Sequence, residues 1–322
     1  MSDTQPSLAV VIPSYRRLEK LPDLIASYRA QGADEVIVVL DGPHPGWQLA
    51  LGDARERAAI LELPKNVGLA LARIAGLEAA TSEVILAVDD DVEPGPGLVD
   101  RHRAFHRDLA DRVLQGYMPV ALPARRGPDD SPSYLYARDY LLQVEGWKRG
   151  DSTTILMSLW GGNVSLPRGL YVRAEKLKPS VRLEYNEDLD LGMRLLELDA
   201  AAAFDVGATA THHHSRGLRG YMRECLARGG AIADLEDRWG ERPPQLTPLV
   251  VIPPTYNRAL ARVQRSIASH QVAGPALRFS VLIYRGAGLV RAWKLQDGVA
   301  RMLRRALAMR GYRLAGATRS AG

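Results

Sequence analysis

The sequence predicts an α/β protein in which helices flank a mostly parallel sheet, followed by a basic and mainly helical C-terminal extension. Within the first 115 residues, short apolar runs alternate with segments of helical periodicity, a pattern typical of βαβ units. Charge separates the two parts, because residues 240–322 contain 14 Lys and Arg but only 2 Asp and Glu. A basic extension on an acidic body usually indicates an anionic partner for the extension.

The predicted elements follow one another along the chain in a regular order. Apolar runs predict strands at 8–13, 35–42, 58–64 and 82–91, and helical spacing predicts helices at 18–32, 66–80 and 96–110. Residues 116–170 are irregular, with a turn-rich loop at 121–133 and an apolar stretch broken by glycines at 155–167. A helix at 184–198 and a strand at 201–214 complete this part.

Two Pro-Pro pairs, at 243–244 and 253–254, predict a linker. We therefore expect one domain at 1–240, with a first half at about 1–115 and a second half at about 116–240, followed by the extension at 241–322.

The extension contains a basic amphipathic pattern at 288–311, with a possible interruption near Gly298. Its apolar positions are Leu295, Val299, Met302, Leu303 and Ala306. Few aromatic residues accompany the arginines, which disfavours a nucleic-acid-binding arm. Two interpretations remain: residues 278–311 dock on an anionic membrane surface, or the helix packs on the preceding domain with its arginines in solvent.

Composition excludes several classes of protein. The chain is 46% hydrophobic and 25% charged, near the average for a soluble globular protein. A single cysteine, Cys225, excludes a disulfide framework and a thiolate-rich zinc site. No apolar stretch reaches the length of about 18 residues that a spanning helix needs, and no secretory signal is visible, so we expect a cytoplasmic protein.

Polar residues follow three of the predicted strands, as Ser14-Tyr15-Arg16, Asp41-Gly42 and Asp89-Asp90-Asp91. Since the carboxyl ends of parallel strands meet at one edge, these groups should gather there, where α/β sheets bind ligands. The three aspartates repel one another and favour a divalent cation, Mn²⁺ or Mg²⁺, over a solvated acidic turn.

Two further clusters carry candidate chemistry. Glu187 and Asp188 lie at the predicted start of a helix, where the helix dipole alone would favour them. His212, His213 and His214 end a predicted strand, and at least one of them is expected to bind metal rather than form a surface cluster. A cation on a diphosphate together with a separate carboxylate base would suit nucleotide-sugar chemistry.

Six ordered motifs resemble glycosyltransferase family 2, which has the GT-A fold. They are VVIPSYRR, VIVVLDG, KNVGLALARIAGLEAA, ILAVDDDVEPGPGLV, LWGGNVSLPR and NEDLDLGMR, and the resemblance covers residues 8 to about 230. It implies an inverting transfer of sugar from a nucleoside-diphosphate sugar to an acceptor hydroxyl. Residues 1–240 would then be the catalytic domain, with the nucleotide-binding half at about 1–115 and the acceptor and catalytic half at about 116–240. UDP is the expected nucleotide, although family members use several. The acceptor is unassigned, and a lipid-linked one is considered.

The resemblance also implies roles for individual residues. Asp188 would be the general base, with Glu187 orienting the site, and Trp160 would stack on a sugar of the acceptor. Asp91 and His214 would ligate the cation, with His212 as the alternative. The nucleotide and donor pocket would be lined by Pro13, Ser14, Tyr15, Arg16, Asp41, Asn66, Arg73, Asp89, Asp90, Gly162 and Asn163. The second strand departs from the family in ending VLDGPHP, which leaves the contacts to the nucleobase unassigned.

Other functions fit less well. A nucleotidyltransferase that makes nucleotide sugars would open with a glycine-rich loop, which PSYRRLEKLP is not. A dehydrogenase would carry G-x-G-x-x-G after the first strand. A non-catalytic GT-A-like protein that binds nucleotide or membrane remains an alternative.

Overall fold

The computed structural model describes residues 5–108, 110–253, 257–269 and 274–319. The chain divides into two compact units. The first unit comprises Met1–Ala121, Asp139–Arg182 and Glu187–His213, and the second comprises Leu122–Arg138, Leu183–Asn186 and His214–Gly322.

An eight-stranded sheet forms the centre of the first unit. Its strands are β1 (Leu8–Ser14), β2 (Glu35–Leu40), β3 (Ala59–Glu62), β4 (Val84–Val88), β5 (Val92–Pro94), β6 (Arg112–Tyr117), β7 (Asn163–Pro167) and β8 (Ala201–His212). They are ordered β3-β2-β1-β4-β7-β6-β8-β5. Pairing is parallel from β3 to β4 and between β6 and β8, whereas β7 is antiparallel to both neighbours and β5 is antiparallel to β8.

Among the described residues, eight α-helices accompany the sheet along the chain. They are α1 (Leu21–Ala30), α2 (Trp47–Leu51), α3 (Leu69–Ala79), α4 (Leu98–Phe105), α5 (Ser131–Arg149), α6 (Ser152–Leu156), α7 (Arg168–Leu177) and α8 (Glu187–Glu197). The α/β fold predicted from the sequence is thus confirmed, including the four N-terminal strands and the predicted helices α1, α3 and α4.

The first strands are continuous apolar runs because both of their faces are covered. Every residue of β1 and β4 is buried, as expected for parallel strands between helical layers. Since β1, β2 and β4 run in the same direction, their carboxyl ends meet at one edge of the sheet. Ser14 ends β1 there, Asp41 follows β2, and Asp89 follows β4.

The second unit is helical. Its further helices are α9 (Leu218–Trp239), α10 (Thr247–Val250), α11 (Arg258–Ser269), α12 (Pro275–Leu289) and α13 (Trp293–Arg319). Its core includes Tyr221, Ile267, Tyr284 and Leu303. Two glycines let α9 and α13 approach closely: a Cβ on Gly229 would lie 1.9 Å from the carbonyl oxygen of Ala308, and one on Gly311 would lie 1.9 Å from that of Leu226.

The basic helix predicted at 288–311 is divided in the structure. α12 ends at Leu289 and α13 begins at Trp293, with Arg291 between them in the left-handed region at φ 57°. Met302, Leu303 and Ala306 are buried as predicted, but Leu295, in the first turn of α13, is 54% exposed. No helix among the described residues is long and apolar enough to cross a membrane.

Candidate active site

A buried arginine links three of the predicted motifs. Arg73 lies in α3 and is only 5% exposed. Its Nη1 donates to Asp188 Oδ1 at 2.8 Å, and its Nη2 donates to Asp89 Oδ1 at 2.7 Å. Glu187 Oε1 lies 3.9 Å from the same Nη1. One guanidinium therefore joins the end of β4 to the first turn of α8, and the planar fork of arginine suits such a bridge.

A glycine pair before β7 closes over this cluster. The backbone N–H of Gly161 donates to Asp188 Oδ2 at 2.8 Å. A Cβ on Gly161 would lie 2.2 Å from Asp188 Oδ1 and 2.6 Å from Arg73 Nη1, so no larger residue fits. A Cβ on Gly162 would lie 2.9 Å from Asp89 Oδ2. The glycines thus allow the backbone to approach the carboxylates directly.

Three carboxylates, Asp89, Glu187 and Asp188, surround the single charge of Arg73, and the pKa values of Glu187 and Asp188 are raised. Burial and the neighbouring Asp188 raise the pKa of Glu187 to about 8, against the opposing effect of Arg73. Burial also raises the pKa of Asp188, while Arg73 and the Gly161 N–H counteract it. A pKa of about 8 places the proton on Glu187 at neutral pH.

Asp90 and Asp91 form a second acidic group at the same edge. Arg17 Nη1 donates to Asp90 Oδ1 at 3.0 Å and to Asp91 Oδ2 at 2.7 Å. Ser14 Oγ donates to Asp90 Oδ2 at 2.8 Å. Burial nevertheless raises the pKa of Asp90 to about 6. Burial would also raise the pKa of Asp91, but His212 and Arg17 outweigh it and hold that pKa far below its usual range.

The three histidines are separated by the structure. His212 is 4% exposed, and its Nε2 lies 3.2 Å from Asp91 Oδ1. His213 Nε2 lies 2.8 Å from Glu93 Oε2. The ring of His214 belongs to the second unit and stacks on Tyr136 with centroids 4.0 Å apart. The histidine beside Asp91 is therefore His212, which the sequence analysis gave as the alternative to His214.

A carboxylate and a buried imidazole fit a divalent cation in ligand type. Mg²⁺ and Mn²⁺ accept oxygen and nitrogen ligands and commonly take one or two protein groups together with substrate phosphates. Within the described part of the chain, no three His, Cys, Asp or Glu side chains are grouped to hold a metal by themselves. The pair Asp91 and His212 would need ligand oxygens to complete such a site.

The predicted nucleotide residue Asp41 anchors a turn. It is 4% exposed, and its carboxylate accepts from the N–H of Val67 at 2.6 Å, from Asn66 Nδ2 at 2.7 Å and from the N–H of Gly68 at 3.0 Å. Arg182 Nη2 donates in turn to Asn66 Oδ1 at 3.0 Å. Asp41 and Asn66 thus fix the loop that leads into α3.

His44, which the sequence analysis missed, holds the loop after β1. The N–H of Arg16 donates to His44 Nε2 at 2.6 Å, and His44 Nδ1 lies 2.6 Å from the carbonyl oxygen of Gly42. Because a carbonyl can only accept and a backbone N–H can only donate, Nδ1 is the donor and Nε2 the acceptor in these two contacts. Arg16 is held at a left-handed φ of 59°. Pro13 is buried at the end of β1, whereas Tyr15 and Arg16 are exposed. The unusual VLDGPHP segment was the available signal.

The side chain of Asn163 links β7 to α4 and β8. It is fully buried, its Oδ1 accepts from His102 Nε2 at 2.9 Å, and its Nδ2 donates to the carbonyl of Ala208 at 3.0 Å. Gln115 holds the neighbouring Trp160, whose N–H donates to Gln115 Oε1 at 2.9 Å. The Trp160 ring lies 4.8 Å from that of Tyr140. His102 and Gln115 were not predicted, because neither belongs to a motif.

Comparison with known proteins supports these assignments of fold and family. Residues 9–140 match the family model described as Glycosyl transferase family 2. A pre-mycofactocin glycosyltransferase of Mycobacterium tuberculosis is 26% identical over 308 residues, which are 94% of this chain and 58% of the relative. An undecaprenyl-phosphate 4-deoxy-4-formamido-L-arabinose transferase of Aeromonas hydrophila is 29% identical over 40% of each chain. The chain thus spans about half the length of these relatives.

A solved structure resembles most of the chain. A mannosyltransferase from Pyrobaculum calidifontis, in complex with GDP-Man and Mn²⁺, aligns with a TM-score of 0.59 at 17% identity, over 96% of this chain and 88% of that one. This similarity confirms the predicted GT-A fold. The family match is confined to residues 9–140, and the relatives that the chain resembles are named as glycosyltransferases.

Proposed function

We propose that this chain, whose residues 9–140 belong to glycosyltransferase family 2, is an inverting enzyme that moves a sugar from a nucleoside diphosphate to an acceptor hydroxyl. One observation carries the proposal: Arg73 joins Asp89 and Asp188, which come from the motifs expected to contact the donor and the acceptor. A buried cluster of this kind costs stability, and such clusters are typical of functional sites.

Asp188 is the proposed general base. It removes the proton of the acceptor hydroxyl, whose oxygen attacks the anomeric carbon as the bond to the diphosphate breaks on the opposite face. The ion pair with Arg73 and the Gly161 N–H fix the direction of the carboxylate. Glu187, protonated because its pKa is about 8, limits the negative charge around the base.

The donor is proposed to lie along the edge formed by the ends of β1, β2 and β4. Tyr15 and Arg16 present exposed side chains to it, and Arg17 adds a positive charge beside Asp90 and Asp91. A divalent cation held by Asp91 and His212 would neutralise the charge that develops on the leaving diphosphate. UDP is the nucleotide we favour. Asp41, Asn66 and Asn163 act through the loops that they hold.

A lipid-linked acceptor is the class that we propose. One relative is named as an undecaprenyl-phosphate transferase. Residues 240–322 carry a large excess of basic residues, which suits an anionic membrane surface. Trp160, partly exposed before β7, is proposed to contact a sugar of the acceptor.

Calorimetric titration of UDP, GDP and dTDP, each with and without Mn²⁺, tests this function. The proposal expects one nucleotide to bind tightly and only when the metal is present. If folded protein binds none of the three under either condition, the donor site and the assigned roles are wrong.

A further inference from the structure

α12 exposes an apolar stripe to solvent. Phe279 is 65% exposed, Leu282 64%, Leu289 75% and Val290, just after the helix, 76%. At about 100° per residue these positions fall within one third of the helix circumference. Large apolar side chains collected in this way are uncommon on a protein surface and usually mark an interaction site.

The stripe is not the face that stabilises the second unit. Leu277, Ser280, Tyr284 and Ala287 are buried on the opposite side of α12, and Tyr284 is fully buried in the core of the unit. The helix therefore has one apolar face for folding and another that folding leaves exposed. α13 differs from α12 in this respect, because the predicted apolar residues Met302, Leu303 and Ala306 are buried in the core of the unit.

Positive charge borders the exposed stripe. Arg278 and Arg285 lie beside it on α12, and Arg291 and Lys294 follow directly, all of them exposed. None of these four side chains forms an ion pair among the residues that the structure describes. The sequence contains no Asp or Glu between Glu241 and Asp297. An exposed apolar stripe with a purely cationic border matches a surface that is anionic outside and apolar beneath.

We propose that the exposed face of α12 docks on an anionic bilayer, with Phe279, Leu282, Leu289 and Val290 entering the interface and Arg278 and Arg285 contacting lipid phosphates. This geometry is that of an interfacial helix lying in the membrane plane. A bilayer satisfies both parts of the surface, whereas a second copy of the same face would bring like charges together. The role of the docking, which is to bring the enzyme to a lipid-linked acceptor, rests on the proposed function. The membrane contact itself does not.

Vesicle sedimentation tests the docking with the full chain. The probes are vesicles of phosphatidylcholine alone and of phosphatidylcholine with 30 mol% phosphatidylglycerol. We expect binding to the anionic vesicles that weakens with salt. Leu282→Ser combined with Leu289→Ser should lower the partition coefficient by about tenfold or more, because each buried CH₂ contributes about 0.8 kcal/mol. Leu49→Ser is the matched control, since Leu49 on α2 is 90% exposed and should leave the partition unchanged.

Two results would overturn the proposal. One is wild-type protein that binds anionic vesicles no better than neutral ones, and the other is a double variant that binds as wild type does. Sedimentation velocity without lipid tests whether a second copy of the chain covers this face instead. A dimer that the same two substitutions abolish would assign the face to the second copy and reject the bilayer. UDP titration with Mn²⁺ on the same samples keeps the two proposals apart, because the double variant should bind nucleotide normally whether or not it binds lipid.

Discussion

Arg73 and Asp188 form a buried ion pair in which Nη1 and Oδ1 are 2.8 Å apart. The pair connects α3 with the first turn of α8, and the other amino group of Arg73 reaches Asp89 at the end of β4. Asp188 lies 115 positions after Arg73 in the sequence and Asp89 lies 16 positions after it, yet both contact the same guanidinium. The orientation of the proposed base consequently depends on the residue that also holds the proposed donor side of the site.

The raised pKa of Glu187 predicts a pH-dependent stability. Its folded pKa of about 8 exceeds the ordinary value of 4.5, so the protonated form is favoured in the folded state. The contribution is fully present below about pH 4.5 and is lost as pH rises through about 8, with a slope of at most about 1.4 kcal/mol per pH unit. Urea unfolding between pH 5 and 8.5 should show this decline in wild type and a flatter profile in Glu187→Gln.

Glu197→Gln provides the control for this experiment, because Glu197 is exposed at the end of the same helix. Its unfolding free energy should follow the wild-type profile. A Glu187→Gln profile as steep as that of wild type would mean that Glu187 is ionised in the folded protein at neutral pH.

Replacing His212 should weaken metal binding, whereas replacing His214 should not. Because His212 lies 3.2 Å from Asp91, His212→Ala should weaken Mn²⁺ binding in the presence of UDP by about tenfold or more. His214→Ala should remove the stacking on Tyr136 and leave the Mn²⁺ affinity close to wild type. Electron paramagnetic resonance of free Mn²⁺ measures both variants. The reverse order of effects would restore His214 as the ligand.

A substitution at Gly161 tests how closely the backbone approaches the proposed base, Asp188. Gly161→Ala places a methyl group 2.2 Å from Asp188 Oδ1, which should destabilise the protein by about 1–3 kcal/mol and abolish most of the transfer. Gly169→Ala is the counterpart: nothing lies within 4 Å of its added Cβ, and α7 should gain about 0.5–1 kcal/mol. Thermal unfolding that gave the two variants equal stability would contradict the packing described around Gly161.

The sequence could predict the strands and helices whose signal is local. β1, β2 and β4 are continuous apolar runs because both of their faces are buried, and α1 and α3 show helical periodicity. α5 was missed although Tyr140, Val144 and Trp147 are buried at helical spacing, because the turn-rich loop before it obscured its start. β7 is short, follows two glycines and pairs antiparallel on both sides, so its partners could not be inferred from its own residues.

The site could be predicted only where motifs carry it. Asp89, Arg73 and Asp188 belong to ordered motifs, and the structure brings them together. Arg17 was quoted within a motif without a role, since its bridge from Asp90 to Asp91 depends on the folding of the loop. His44 and Gln115 make their contacts with backbone groups, and such contacts leave no pattern in one sequence. The exposed face of α12 was hidden because periodicity alone cannot tell which apolar face is packed.

The assignment of Asp188 as the base is tested most directly by comparing donor turnover and donor binding in wild type and Asp188→Asn. Slow hydrolysis of UDP-glucose and of GDP-mannose, with water in place of the acceptor, reports turnover, and calorimetry of the matching nucleotide with Mn²⁺ reports binding. The amide keeps the shape of the side chain but cannot accept the proton, so turnover should fall by about 10²–10⁴-fold while the nucleotide Kd changes by less than about threefold. Turnover near the wild-type rate in Asp188→Asn, with binding intact, would contradict the role of Asp188.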